Sequence, residues 1–168
     1  YNSAIMQVSN VRENGVHIGS LRDGELWIPH DMSYTEAPYK GTMLYGIEIP
    51  SIGGNTKFAN MYKAYDKLSE ATRDRIRGMR ALHIYDFALR EKVDIAGDIS
   101  GYKLKVQPIA VTHPVTGRKA LYVNPLITAR VEDASLDEGD ALLDELFEFT
   151  EQPELIYEHV WRPGDLVM

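Results

Sequence analysis

The 168 residues contain no cysteine, which excludes disulfides and thiolate metal sites and fits a cytoplasmic protein. They contain no run of about 18 apolar residues, so neither a transmembrane helix nor a membrane partner is expected. No signal peptide opens the chain, although it begins with Tyr1 rather than Met, which leaves a longer N-terminus open. Basic charge is also scarce. Asp and Glu number 25 against 18 Lys and Arg, the net charge is −7, and no basic stripe is present, so a nucleic-acid partner is not expected. The remainder is ordinary: 44% hydrophobic and 26% charged residues suit one globular domain spanning 1–168, large enough for a real core.

Local patterns alternate between extended and helical. Ile5, Met6, Val8 and Val11 form a short apolar run before a turn at Glu13-Asn14-Gly15. A second extended piece surrounds Leu26, Trp27 and Ile28, and Thr42 to Ile49 reads as the clearest strand, stopped by Pro50. Gly53-Gly54-Asn55 turns the chain into a short strand at Thr56 to Phe58. Met61, Ala64, Tyr65 and Leu68 have helix spacing, and a second helix runs from Glu70 to Arg77, capped by Ser69 and ended by Gly78. Arg80 to Tyr85 returns to strand, Glu91 to Tyr102 reads as a long loop, and Val111 to Asn124 reads as a hairpin. Ser135 and Glu138 make a capping box for a helix with Leu142, Leu143, Leu146 and Phe147 on one face. A strand over Leu155 to Trp161, a turn at Arg162 to Asp165 and the start of another strand close the chain. Strands with inserted helices predict an α+β domain built around a β-sandwich or barrel.

Four stretches carry a resemblance. They are Gly24-Glu25-Leu26-Trp27-Ile28-Pro29-His30-Asp31-Met32-Ser33-Tyr34, Glu48 through Gly53-Gly54-Asn55-Thr56 to Met61, Thr112-His113-Pro114 through Tyr122-Val123-Asn124, and Trp161-Arg162-Pro163-Gly164-Asp165. In order and spacing they resemble the taurine dioxygenase family, which includes the phenoxyacetate dioxygenases. The resemblance implies a double-stranded β-helix, a jelly-roll barrel with helical insertions, here incomplete at both ends. It implies Fe(II) and 2-oxoglutarate as cofactor and cosubstrate, held by a facial triad of two His and one carboxylate. Dioxygen and a small-molecule substrate complete the reaction, which yields succinate and carbon dioxide while a C–H bond is oxidised. Jelly-roll enzymes of this type often associate, so a homo-oligomer is compatible with the resemblance.

The family's first two ligands come as His-x-Asp, because residues i and i+2 of a strand point the same way. Asp31 matches the carboxylate, but Pro29 stands where the His belongs and has no donor atom. His30 lies between, with two readings: a ligand brought round by a bulge or a tight turn, or a non-ligand beside the barrel mouth. Thr56 matches a hydroxyl that contacts a 2-oxoglutarate carboxylate. Glu25 and Asn124 match pocket positions, although Glu25 could point outward and Asn124 could hold loops together. His83 and His113 are expected to be structural, Arg118 to lie on the hairpin surface, and His17 and His159 carry no signal. The distal His and the Arg for 2-oxoglutarate belong beyond Met168 in this alignment, so the 168 residues alone are expected to be inactive. The competing expectation is a non-catalytic relative that has lost iron and binds a ligand or partner, motivated by Pro29.

Overall fold

The computed structural model describes residues 5–19, 30–85 and 97–168. In chain order the elements are β1 (Arg12–Glu13), β2 (Val16–His17), β3 (Leu44–Tyr45), β4 (Thr56–Ala59), α1 (Met61–Lys67), α2 (Glu70–Arg75), β5 (Arg80–Ile84) and β6 (Leu104–Pro108). There follow β7 (Ala110–Thr112), β8 (Lys119–Leu121), β9 (Thr128–Val131), α3 (Leu136–Thr150), a 3-10 turn (Pro153–Leu155), β10 (Ile156–His159) and β11 (Leu166–Val167). The strands pair as β1-β2, β10-β4, β11-β3, β6-β5-β9 and β7-β8, and every pair is antiparallel. Among the described residues these small sheets do not close into a barrel.

Turn chemistry explains the first hairpin. Asn14 and Gly15 both take positive φ (51° and 80°), as a two-residue turn with the twist of its flanking strands requires. Between Ile5 and Val11, no strand forms. The expected long strand from Thr42 to Ile49 is also shorter, reduced to Leu44–Tyr45. Gly46 is the reason: its N–H and C=O are taken by the closing turn, through Asp165 and Gly164. A Cβ at Gly46 would approach the Arg162 carbonyl oxygen to 3.1 Å and the Trp161 ring to 3.2 Å. Two strands not expected from the sequence, β6 and β9, flank β5 and make it the centre of the largest sheet.

β5 is buried on both faces, and this fixes where the core lies. Ala81 packs with Val131, Ile109, Leu121 and Val123 against Leu142, Leu143 and Leu146 of α3. Leu82 and Ile84, pointing the other way by strand alternation, pack with Ala129, Leu104 and Val106. Helix α3 starts where expected, with the Ser135 hydroxyl accepting from the Glu138 N–H and donating to the Glu138 carboxylate. Helices α1 and α2 begin with side-chain caps from Asn60 and Ser69, and Gly78 (φ 78°) turns the chain into β5. The expected helix ends at Arg75 rather than Arg77. The hairpin of β7 and β8 follows the sequence, with Ala110 opposite Leu121.

Because Leu146 is fully buried at the meeting of α3 and the sheet, Leu146→Ala is expected to destabilise the fold by about 2–5 kcal/mol. The midpoint of urea unfolding, at unchanged slope, measures this.

Candidate functional site

The segment from His30 to Glu36 is a compact turn rather than a strand. Ser33 N–H donates to the His30 carbonyl (3.2 Å), and Thr35 donates to the Met32 carbonyl through both its N–H (3.0 Å) and its hydroxyl (2.7 Å). Met32 takes φ 60°, uncommon outside glycine, asparagine and aspartate. The turn presents neighbouring side chains in different directions. Asp31 is exposed and accepts a hydrogen bond from the Thr42 hydroxyl, whereas Ser33 is fully buried.

Three strand-borne or strand-adjacent side chains hold this turn from beneath. Ser33 Oγ and His83 Nδ1, on β5, are 2.8 Å apart. Gln107 Nε2, on β6, donates to the carbonyls of Ser33 (2.9 Å) and Thr35 (3.1 Å). Asn124, just after β8, reaches His30: its Nδ2 lies 3.1 Å from His30 Nδ1. Between the two imidazoles sits Tyr122, its ring centroid 4.6 Å from that of His30 and 5.7 Å from that of His83.

The hydrogen bonds assign proton positions. Asn124 Oδ1 accepts from the N–H groups of Leu126 and Ile127, so its NH2 faces His30 and donates to Nδ1. Burial lowers the His30 pKa from 6.5 to about 4, against the opposing pull of Asp31, so the ring is neutral near pH 7. A neutral ring whose Nδ1 accepts carries its proton on Nε2, which leaves no free lone pair for a metal. His83 is lowered further, to about 3, by burial and then by His30. Its Nε2 is buried without a partner. Either the Ser33 hydroxyl or the His83 Nδ1–H can donate in the contact between them. Burial raises the Tyr122 pKa, and Asp31 adds to the shift.

Thr56 stands elsewhere, on β4 opposite His159 of β10. Its Oγ1 accepts from Trp161 Nε1 at 2.9 Å, which leaves the hydroxyl proton free to donate to a carboxylate. Beside it, His159 Nε2 is 3.1 Å from Asp165 Oδ2, which also accepts the Arg162 N–H. No hydrogen bond or ion pair among the described residues joins Asp31 to Thr56. Glu25 and Pro29, with the extended piece at 26–28, lie outside the described residues, as do residues 91–96 of the expected loop. His113 holds its own turn, accepting from the N–H groups of Val115 and Thr116. Arg118 pairs with Asp66 and lies over the Tyr62 ring.

Whether these residues fit an iron centre depends on the donor set. Among the described residues no group of three His, Cys, Asp or Glu could hold a metal ion. Asp31 offers one carboxylate and His30 no free lone pair, so the described residues do not make a facial triad. A hollow of about 280 Å³ shares Gln107 and Tyr122 with this region and is otherwise lined by Tyr62, Val111, His113 and neighbours. A larger one, about 510 Å³, lies against Leu82, Arg130 and the start of α3. None of the polar residues that hold the turn lines it.

The family model described as taurine catabolism dioxygenase TauD, TfdA family, matches residues 1–168. The chain belongs to that family. It is 33% identical to pentalenolactone F synthase of Streptomyces avermitilis, over 98% of the chain and 59% of that protein. It is also 33% identical to the (S)-phenoxypropionate/alpha-ketoglutarate dioxygenase of Sphingobium herbicidovorans, over 96% of the chain and 62% of that protein. Among solved structures, AAD-2 in complex with Mn(II) and N-oxalylglycine superposes with a TM-score of 0.73 at 33% identity, covering 84% of the chain and 56% of that structure. A taurine dioxygenase from Burkholderia xenovorans gives 0.70 at 28% identity, covering 83% and 45%. The chain therefore spans about three-fifths of the length of the curated relatives.

Sequence reasoning did not find Ser33, Gln107 or Thr42. The available signal was a polar residue in each of two strand segments, His83 between Leu82 and Ile84 and Gln107 after Val106.

The buried neutral imidazoles make stability depend on pH. With a folded pKa of about 3 against 6.5 unfolded, His83 contributes stability that is complete above 6.5 and is lost as pH falls toward 3. Between pH 7 and 5 one such group removes on the order of 2 kcal/mol. The lowered carboxyl groups Glu138 and Glu154 act only below their ordinary value of 4.5, so this window belongs to histidine. Urea midpoints at pH 7 and pH 5 should differ in the parent, and His83→Gln should shrink that difference by about half, the remainder belonging to His30.

Proposed function

We propose that the protein is an Fe(II)- and 2-oxoglutarate-dependent dioxygenase that oxidises a small organic substrate, with the double-stranded β-helix of its family completed around the strands described above. The observation that carries the reading is the family match over the whole chain, with relatives named as alpha-ketoglutarate dioxygenases. Asp31 is the metal-side carboxylate in this reading, exposed and oriented by Thr42. Thr56 is the donor for a 2-oxoglutarate carboxylate, its other hydrogen bond already taken by Trp161.

His30 takes the second of its two readings, a non-ligand, because Asn124 occupies Nδ1 and the ring proton occupies Nε2. Asn124 serves the same turn rather than a substrate. Iron with 2-oxoglutarate and dioxygen supplies the oxidising power. The chain's own residues supply a carboxylate, a hydroxyl donor and a rigid apolar floor. Glu25 stays a substrate-side candidate by register with the family. The same reading includes a cytoplasmic location and no nucleic-acid partner, and is compatible with a homo-oligomer. Among the described residues no helix is long and apolar enough to cross a membrane.

Succinate release from 2-oxoglutarate, with Fe(II) and a panel of aryloxyalkanoates and sulfonates, tests the reading. Protein at the length of its relatives should release succinate, and the 168 residues alone should not. Asp31→Ala should lower release at least about 100-fold, on the order of 3 kcal/mol. No succinate from the longer protein, with or without substrate, rejects the dioxygenase reading.

A further inference from the structure

We propose that Ser33, His83 and Gln107 are positioning residues that set the direction of the Asp31 carboxylate. This proposal rests on the reading of Asp31 as the metal-side carboxylate, but it concerns the shape of the turn alone. Asp31 lies between His30, whose carbonyl accepts from Ser33, and Met32, whose positive φ turns the chain sharply. An exposed turn with such a residue at its corner has few means of holding one conformation, because its own hydrogen bonds are short-range and open to water.

Here the turn is instead fixed from the core. Ser33 is 0% exposed and meets His83, also 0% exposed, on the central strand β5. Gln107 on β6 spans the carbonyls of Ser33 and Thr35 with one NH2 group, gripping the bend from the same sheet face as His83. His83 and Gln107 lie on paired strands, where His83 faces Lys105 and Ala81 faces Gln107 in the ladder. The two grips are therefore set by one sheet and cannot drift independently. Asp31, two residues from Ser33, inherits that fixed frame, and Thr42 only completes its orientation. Among the described residues the Ser33 hydroxyl and the His83 imidazole have no other side-chain hydrogen bond, so releasing one leaves the other without that partner.

Metal-free NMR tests this directly. In the parent protein, three-bond couplings across χ1 of Asp31 should report a single rotamer. In Ser33→Ala, and separately in Gln107→Leu, they should average. Amide exchange at Ser33 and Thr35 should rise at least about tenfold, while Leu143 and Leu146 in α3 change less than twofold. Ser33→Thr, which restores the hydroxyl, should restore the single rotamer. Gln107 is only partly buried, so its variant keeps the test open should Ser33→Ala fail to fold. An Asp31 rotamer that is unchanged in the folded variants, already averaged in the parent, or lost only together with α3 protection overturns the proposal.

Added Mn(II) separates the two levels. Absence of line broadening at Asp31 in the longer parent protein, with the turn still rigid, removes the metal role and leaves the positioning intact.

Discussion

The hydrogen bond between Ser33 and His83 is the constraint on which the candidate site depends. Both side chains are fully buried. A hydroxyl and an imidazole removed from water must find each other or cost the fold on the order of 1–3 kcal/mol apiece. The bond joins a surface turn to β5, the strand with packed side chains on both faces, so the most irregular segment near the site is tied to the most rigid element. Gln107 repeats the attachment from the neighbouring strand and Asn124 from the segment beyond β8. A turn with few apolar contacts of its own thereby acquires the stiffness of the core.

Tyr122 shows how packing and polarity cooperate here. Its ring fills the space between two imidazoles that would otherwise compete for the same water-free region. Each ring has one nitrogen engaged by a neutral partner, Asn124 or Ser33, rather than by a carboxylate. Burial penalises protonation of both rings and outweighs the pull of Asp31 on His30, which is why both histidines stay neutral.

Much of the local structure was legible in the sequence, because its causes are local. Asn14-Gly15 specifies a turn by backbone conformation, Ser69 and Ser135 cap helices through their own third residues, and Leu142, Leu143 and Leu146 mark a face by spacing alone. β6 and β9 were missed for an equally physical reason. Leu104 to Pro108 is short and ends in proline, and Thr128 to Val131 follows a loop held by Asn124, so neither has a period long enough to read. The family motifs located Asp31 and Thr56 through register, but could not show what holds them. The partners of the site segment lie 50 residues away at His83, 74 at Gln107 and 94 at Asn124. Pairings of that range leave no trace in composition or periodicity.

The neutral state of His30 also bears on what Asp31 can do. An imidazolium beside a carboxylate would form an ion pair and hold a divalent cation off by repulsion. Here the nearest imidazole is neutral and aimed at Asn124, and among the described residues the hydrogen bond to the Asp31 carboxylate comes from the hydroxyl of Thr42. Hard cations prefer oxygen donors with unspent charge, and a carboxylate with one hydroxyl partner retains most of its own. On the proposed reading, the features that keep His30 from the metal are the ones that leave Asp31 to it. A ring fixed by Asn124, desolvated against Tyr122 and held neutral leaves the adjacent carboxylate without an imidazolium to pair with.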